Sequence, residues 1–223
     1  KANVIVSFGA DFLGAWLSPV EFSRQWAKNR NLRNGQKELS RHYQFEALLS
    51  LTGSNADIRM TMKPSLQGTY VVQLYNAIAK LAGKDALSSG TKELAGNAIS
   101  KAAADLWANK GKGLVVCGSN DHATQCVVNG INEMLGNYGT TIDLDNYSKQ
   151  YTATDAGFEA FVGELASGGV KAVIMYGVNP VYTYHDSKKI ADGIKKAELS
   201  VSLSTSIDDT AKVCQYVAPD NHF

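Results

Sequence analysis

The feature that most constrains the fold is a pattern that occurs three times along the chain. A short apolar run is followed by Gly-x-Asp or Gly-x-Asn and then by an amphipathic stretch, and the three turns are 9–11, 118–120 and 177–179. Near-continuous apolar strands that alternate with helices are typical of parallel sheets, because such strands are covered on both faces. The chain is therefore predicted to be an α/β protein with doubly wound, mainly parallel sheets.

Boundaries of individual elements follow from local signals. Pro19 predicts the first position of a helix, with Ser18 as its N-cap. A second helix is predicted over 121–135, capped by Asn120 or Asp121 and ended by Gly136. Strands are predicted at 4–8, 43–51, 113–117, 171–176, 199–204 and 214–218. The turn-rich segment 137–154 predicts a domain boundary.

Composition and charge exclude several classes of function. The chain has 223 residues, of which 44% are hydrophobic and 19% charged, a profile typical of globular proteins in water. A formal net charge of +1 gives no electrostatic attraction to nucleic acid or to an anionic membrane. No apolar run reaches the ~18 residues that a membrane span requires. We therefore expect neither nucleic-acid binding nor a direct membrane span.

Metal-ligand and nucleophile motifs are missing from the sequence. The three cysteines form no C-x-x-C pair, and the spacing of the four histidines matches no metal motif. There is no phosphate-binding loop of the Walker type and no G-x-S-x-G elbow. Only His122 follows a strand-end turn, and an exposed residue in the first helical turn is the alternative interpretation of it. No catalytic or metal-binding residue is predicted.

The strand-end turns are the candidate binding elements. In open α/β sheets such turns line the crevice in which ligands bind, although Gly with Asn or Asp is also ordinary turn chemistry. Gly9 and Gly14 resemble part of a dinucleotide fingerprint, but Asp11 stands where a glycine would approach the pyrophosphate. Glu46, at the end of the predicted second strand, could bind a ribose or could be solvated at the surface. A free-standing NAD-dependent dehydrogenase is therefore a hypothesis that the sequence does not favour.

Four segments, in order, resemble the molybdopterin oxidoreductase family. Residues 171–180 resemble its strand and G-x-N-P turn, and 209–223 resemble its T-E-T-A…A-D-V-V-L-P stretch. Residues 129–139 resemble its helix ending in L-x-G-N-x-G, and 56–64 resemble its A-D…R-P-G-T-D. More narrowly, 8–14, 16–22 and 50–57 are similar to the large iron–sulfur subunit of alternative complex III, a quinol:acceptor oxidoreductase. The resemblance covers nearly the whole chain.

The resemblance implies two Rossmann-like domains. Residues 1–145 would correspond to the family's domain III and residues 146–223 to part of its domain II. The second sheet would be incomplete, because its earlier strands lie upstream of Lys1 in the family. Both ends look cut, so the chain is expected to be a piece of a longer protein. An incomplete sheet should present an exposed edge, or rely on residues 1–145 or on dimerisation to cover it.

The family's nucleotide-binding positions predict a crevice that has degenerated. An Asn that is common after the first strand-end glycine is Asp11 here, and the family's D-P-R and P-G-T-D align with 46–48 and 64–67. An aspartate common before T-E-T-A falls at Ser204. The candidate residues of the degenerate pterin-nucleotide crevice are Gly9, Asp11, Glu46, Gly118, Asn120, Gly177, Asn179 and Pro180.

By resemblance the piece is expected to be a non-catalytic scaffold without a pterin. Iron–sulfur clusters would lie elsewhere in the parent chain. Its partners would be the other subunits of a membrane-bound respiratory complex, at the periplasmic side of the bacterial inner membrane. The alternative is the cofactor-binding half of an active enzyme with bis(molybdopterin guanine dinucleotide).

Overall fold

The structure is a computed structural model that describes residues 2–32, 37–88, 94, 96–147 and 153–221. The chain divides into two compact units, which we call unit 1 (Lys1–Tyr151) and unit 2 (Thr152–Phe223). The division lies at the turn-rich segment that the sequence marks as a boundary. Each unit contains a parallel sheet among helices, so the predicted α/β class is confirmed.

Unit 1 is built on a four-stranded parallel sheet in the order β3-β2-β1-β4. The chain moves outward from β1 to β3 and then crosses to the other side of β1, which creates a topological switch point between β1 and β4. This is the strand order of the first part of a Rossmann fold. Its elements are β1 (Val4–Phe8), α1 (Pro19–Lys28), β2 (Arg41–Glu46), α2 (Leu51–Ser54), β3 (Ile58–Thr61), α3 (Gln67–Ala82), α4 (Asn97–Ala108), β4 (Gly113–Cys117) and α5 (His122–Met134).

The main core of unit 1 lies between the sheet and α3, α4 and α5. Alternate residues of β1, such as Val6 and Phe8, face these helices, and the Phe8 and Phe45 rings stack with centroids 5.0 Å apart. Ile5 faces the opposite side of the sheet, in a smaller cluster with Phe12 beneath α1. Both faces of β1 are therefore covered, as expected for a parallel strand.

Unit 2 contains a three-stranded parallel sheet in the order β5-β6-β7. Val173 and Met175 face α6 and α8, whereas Ile174 on the other face is 66% exposed. The sheet is open, with β5 at one edge and β7 at the other. Its elements are α6 (Asp155–Ser167), β5 (Ala172–Met175), α7 (Pro180–Thr183), α8 (Ser187–Lys196), β6 (Leu199–Ser202), a 3-10 turn (Ala211–Val213) and β7 (Tyr216–Val217).

Three local predictions need correction. Ser18 precedes Pro19 at the start of α1, but its hydroxyl lies 3.3 Å from the Glu21 carboxylate and caps no backbone N–H. The predicted strand 43–51 ends at Glu46, and the following apolar residue Leu48 is 83% exposed in the turn before α2. Strand β3 was not predicted, because it is a short, half-buried edge strand with a charged residue in its middle.

Candidate functional site

The carboxyl ends of β1 and β4 approach each other at the switch point of unit 1. The Gly118 N–H donates to the Phe8 carbonyl at 2.9 Å. A Cβ atom on Gly118 would lie only 2.5 Å from the Gly9 carbonyl oxygen, and Gly9 itself has a φ of +64°. Both predicted glycines are therefore required by backbone geometry alone.

The side chain of Gln67 lies over the ends of these two strands. Its Nε2 donates to the Phe8 carbonyl at 2.8 Å and lies 3.2 Å from the Cys117 Sγ. A Cβ atom on Gly9 would lie 3.0 Å from the same nitrogen. Gln67 therefore occupies the place where open α/β sheets usually bind a ligand. The sequence marked this residue only as a departure from the family pattern.

Asp11 accepts two hydrogen bonds from Thr52, which lies in α2 between β2 and β3. Its Oδ1 accepts hydrogen bonds from the backbone N–H and the hydroxyl of Thr52, at 3.0 and 2.7 Å. The Thr52 hydroxyl in turn accepts from the Leu13 N–H at 2.9 Å. We call this arrangement the Asp11–Thr52 clasp. The predicted site carboxylate is thus engaged in holding α2 against the first strand-end turn.

Glu46 is buried rather than solvated at the surface, so that interpretation is wrong. Its carboxylate accepts from the Arg59 Nε at 2.6 Å, from the Ser50 hydroxyl at 2.5 Å and backbone N–H at 3.2 Å, and from the Gln44 amide at 3.1 Å. Burial acts to raise the pKa of Glu46, but the bonds from Ser50 and Arg59 outweigh it and hold the pKa below its usual value. Glu46 is therefore ionised, and both of its oxygens are engaged.

Each of the two carboxylates lies against a glycine of the chain's own backbone. A Cβ atom on Gly53 of α2 would lie 1.8 Å from the Glu46 Oε1, and one on Gly14 would lie 2.1 Å from the Asp11 Oδ2. These glycines are needed because the chain packs its own backbone against the carboxylates. The chain's own packing therefore explains the glycine at position 14. The similarity of 9–14 to a dinucleotide fingerprint does not require a bound dinucleotide.

The remaining unit 1 candidates lie at the start of α5. Asn120 is exposed, and Asp121 rather than Asn120 caps the helix by accepting from the Thr124 N–H at 2.8 Å. His122 is exposed in the first turn, as its alternative interpretation stated, and its Nε2 lies 3.7 Å from the Cys126 Sγ. His222 lies outside the described residues.

Unit 2 repeats the clasp with different residues. The Asn179 Oδ1 accepts from the backbone N–H and the hydroxyl of Thr210, at 3.2 and 2.7 Å. The Thr210 hydroxyl accepts from the Val181 N–H at 3.0 Å. Gly177 has a φ of +63°, and Pro180 is the first residue of α7. All three predicted residues of unit 2 thus lie together at the carboxyl end of β5, and Thr210 completes their arrangement.

In contrast to unit 1, the crevice of unit 2 is open. A cavity of about 420 Å³ lies at the carboxyl ends of β5 and β6 and is lined by Ser204, Asp208 and Asp220 as well as by Asn179. The Asp208 Oδ1 accepts one backbone bond, from Ala211 at 2.8 Å. A hydrogen bond to Asp220 raises the pKa of Tyr176. Carboxylates in unit 2 therefore retain acceptor capacity at the cavity.

Within the described ranges, no group of three or more His, Cys, Asp or Glu residues could hold a metal ion. Likewise, none of the helices in these ranges is both long and apolar enough to cross a membrane. No family model and no curated protein matches the chain.

Proposed function

We propose that the chain is a non-catalytic scaffold within a molybdopterin-oxidoreductase-like subunit of a respiratory quinol:acceptor complex. It holds no pterin in this proposal, and iron–sulfur clusters lie elsewhere in the parent chain. Its partners are the other subunits of that complex, at the periplasmic side of the bacterial inner membrane. One observation carries the proposal: Glu46 spends the acceptor capacity of both its oxygens, and Asp11 that of its Oδ1, on the chain's own groups.

A bound nucleotide would compete with these internal hydrogen bonds for the same acceptor atoms. A guanine edge needs acceptors for its N–H groups, and each buried group left without a partner costs about 1–3 kcal/mol. Asp11 could accept such a bond with Oδ1 only by releasing Thr52. Glu46 could do so only by releasing Ser50 or Arg59. For Glu46 and for the Asp11 Oδ1 a bond is exchanged and none is gained, so these atoms do not favour binding of the nucleotide.

The open crevice of unit 2 favours the alternative, a cofactor-binding half of an active enzyme. Asn179 lies at its rim and Asp208 and Asp220 line it, so acceptors for guanine N–H groups are available there. Ser204 stands where the family commonly has an aspartate, so this position offers a hydroxyl instead of a charged carboxylate. In this alternative unit 2 would hold the guanine end.

Metal and pterin analysis of the full-length protein distinguishes the two functions. For the scaffold we expect molybdenum and tungsten far below one atom per chain and no extractable guanine dinucleotide. Stoichiometric metal together with extractable guanine dinucleotide would overturn the scaffold function. In that case Asp208→Asn should lower the nucleotide content, whereas Asp11→Asn should leave it unchanged, because Asp11 faces Thr52.

A further inference from the structure

Helix α5 carries a histidine and a cysteine on its exposed side, one helical turn apart. His122 and Cys126 are both exposed, and residues four apart on a helix are neighbours on its surface. The Cys126 Sγ lies 3.7 Å from the His122 Nε2 and 3.9 Å from its Nδ1. The structure therefore brings together an imidazole and a thiol, two side chains that ligate zinc in proteins.

The distance between these two side chains matches that between two ligands of one metal ion. Zinc binds a thiolate at ~2.3 Å and an imidazole nitrogen at ~2.0–2.1 Å, so two such ligands at a tetrahedral angle lie about 3.6 Å apart. The observed 3.7 Å from the Cys126 Sγ to the His122 Nε2 is close to this value. Because both side chains are exposed, the ring can turn about χ2 and direct either nitrogen at the ion while the helix backbone stays in place.

The surroundings of the pair set the rest of the coordination and the local charge. In the described ranges no third His, Cys, Asp or Glu joins the pair, so water would fill the remaining positions of an ion. Asp121 caps α5 directly before His122, and hydrogen bonds from Thr124 hold the pKa of Asp121 below its usual value. Asp121 is therefore ionised, and its charge offsets the positive end of the helix, which would otherwise repel a cation.

We propose that His122 and Cys126 chelate a divalent metal ion that prefers sulfur and nitrogen ligands, of which zinc is the representative. On binding, the Cys126 thiol releases its proton to solvent and ligates as the thiolate, whereas the neutral imidazole keeps the proton on its other nitrogen. Two ligands provide about half of a four-ligand structural site, so we expect a zinc dissociation constant on the order of 10 µM. The inference does not depend on the proposed function, which gives neither residue a role.

Titration of the reduced, untagged full chain with cobalt(II) tests the site, because a cobalt–thiolate bond absorbs in the near ultraviolet. We expect a thiolate band that saturates at one ion per chain and that zinc displaces, and the competition gives the zinc dissociation constant. His122→Ala and Cys126→Ala should both fold, since each residue is exposed. Each variant should weaken binding about tenfold or more, and Cys126→Ala should also lose the thiolate band.

Two matched variants control for other histidine and cysteine ligands of the chain. His185 is an exposed histidine of unit 2, and Cys214 is a half-buried thiol that donates to the Thr210 carbonyl. His185→Ala and Cys214→Ser should leave the titration unchanged. The lack of a thiolate band up to about 1 mM cobalt overturns the proposal. A band that persists in Cys126→Ala, or binding to His122→Ala as tight as to the wild type, overturns it as well, because the ion would then not be chelated by this pair.

Discussion

The two units contain the same half-fold, but only one of their crevices is open. In each, an acidic or amide side chain two residues after a strand-end glycine clasps a fully buried threonine, Asp11 with Thr52 and Asn179 with Thr210. The clasp is therefore common to a filled and an open crevice and cannot be what fills it. The difference lies in Gln67 and in the bonded Glu46 of unit 1.

The two units also cover the faces of the sheet differently. Val6 of β1 is fully buried beneath the helices that follow β3, whereas Ile174, at the equivalent register of β5, is 66% exposed. The opposite face is covered by α6 in unit 2, whereas in unit 1 it lies beneath α1, beside an apolar cavity of about 560 Å³. Strands in equivalent positions of the two units are thus covered by different helices. The polar groups at the strand ends vary independently of which helices cover the sheet.

Among the variants that test the difference between the units, removal of the Glu46 carboxylate should cause the largest loss of unfolding free energy. Glu46→Ala leaves Arg59 and Ser50 without their partner, and breaking a buried ion pair costs about 3–5 kcal/mol. All three tryptophans lie in unit 1, so the loss should appear in urea unfolding followed by tryptophan fluorescence. The matched variant Asp208→Ala in unit 2 should leave this transition unchanged. A loss below about 1 kcal/mol would show that Glu46 does not hold α2 in place.

Acid should destabilise unit 1 through His42, a fully buried residue of β2. Burial lowers its pKa from 6.5 to about 4, so the unfolded chain takes up a proton at a higher pH than the folded chain does. Its contribution is present above pH 6.5 and is lost as the pH falls toward 4. We expect the unfolding free energy, measured by tryptophan fluorescence, to drop by about 2 kcal/mol between pH 6.5 and about 5. In His42→Gln this slope should disappear, and a slope that persists would assign it to another group.

The two clasps should differ by a smaller amount. Thr52→Val and Thr210→Val each remove a hydroxyl that bonds on both sides, at a cost of about 1–2 kcal/mol. The loss should be larger for Thr52, because its acceptor is a carboxylate and charge-assisted bonds are stronger. Amide hydrogen exchange at Leu13 and Val181 should accelerate in the respective variant. If exchange accelerates by the same factor at both amides, relative to the wild type, the charge of Asp11 adds nothing to the strength of the unit 1 clasp.

The sequence predicted the glycine turns but not their partners. Local chemistry revealed Gly9, Gly118 and Gly177, because a positive φ or a close approach selects glycine within a few residues. Thr52 lies 41 residues from Asp11 and Gln67 lies 59 residues from Phe8, so no local pattern could pair them. The burial of Glu46 was missed for the same reason, since Arg59 belongs to a strand that was not predicted.

An amide NMR titration with guanosine monophosphate tests directly whether the crevice of unit 1 is closed to a nucleotide. Gln67 and the bonded Glu46 are the groups that close the crevice of unit 1. At millimolar nucleotide, the account predicts no change in the amide signals of Gly9, Asp11 and Thr52. Saturable shifts of these three signals would contradict it, because they would mean that a nucleotide displaces the chain's own polar groups.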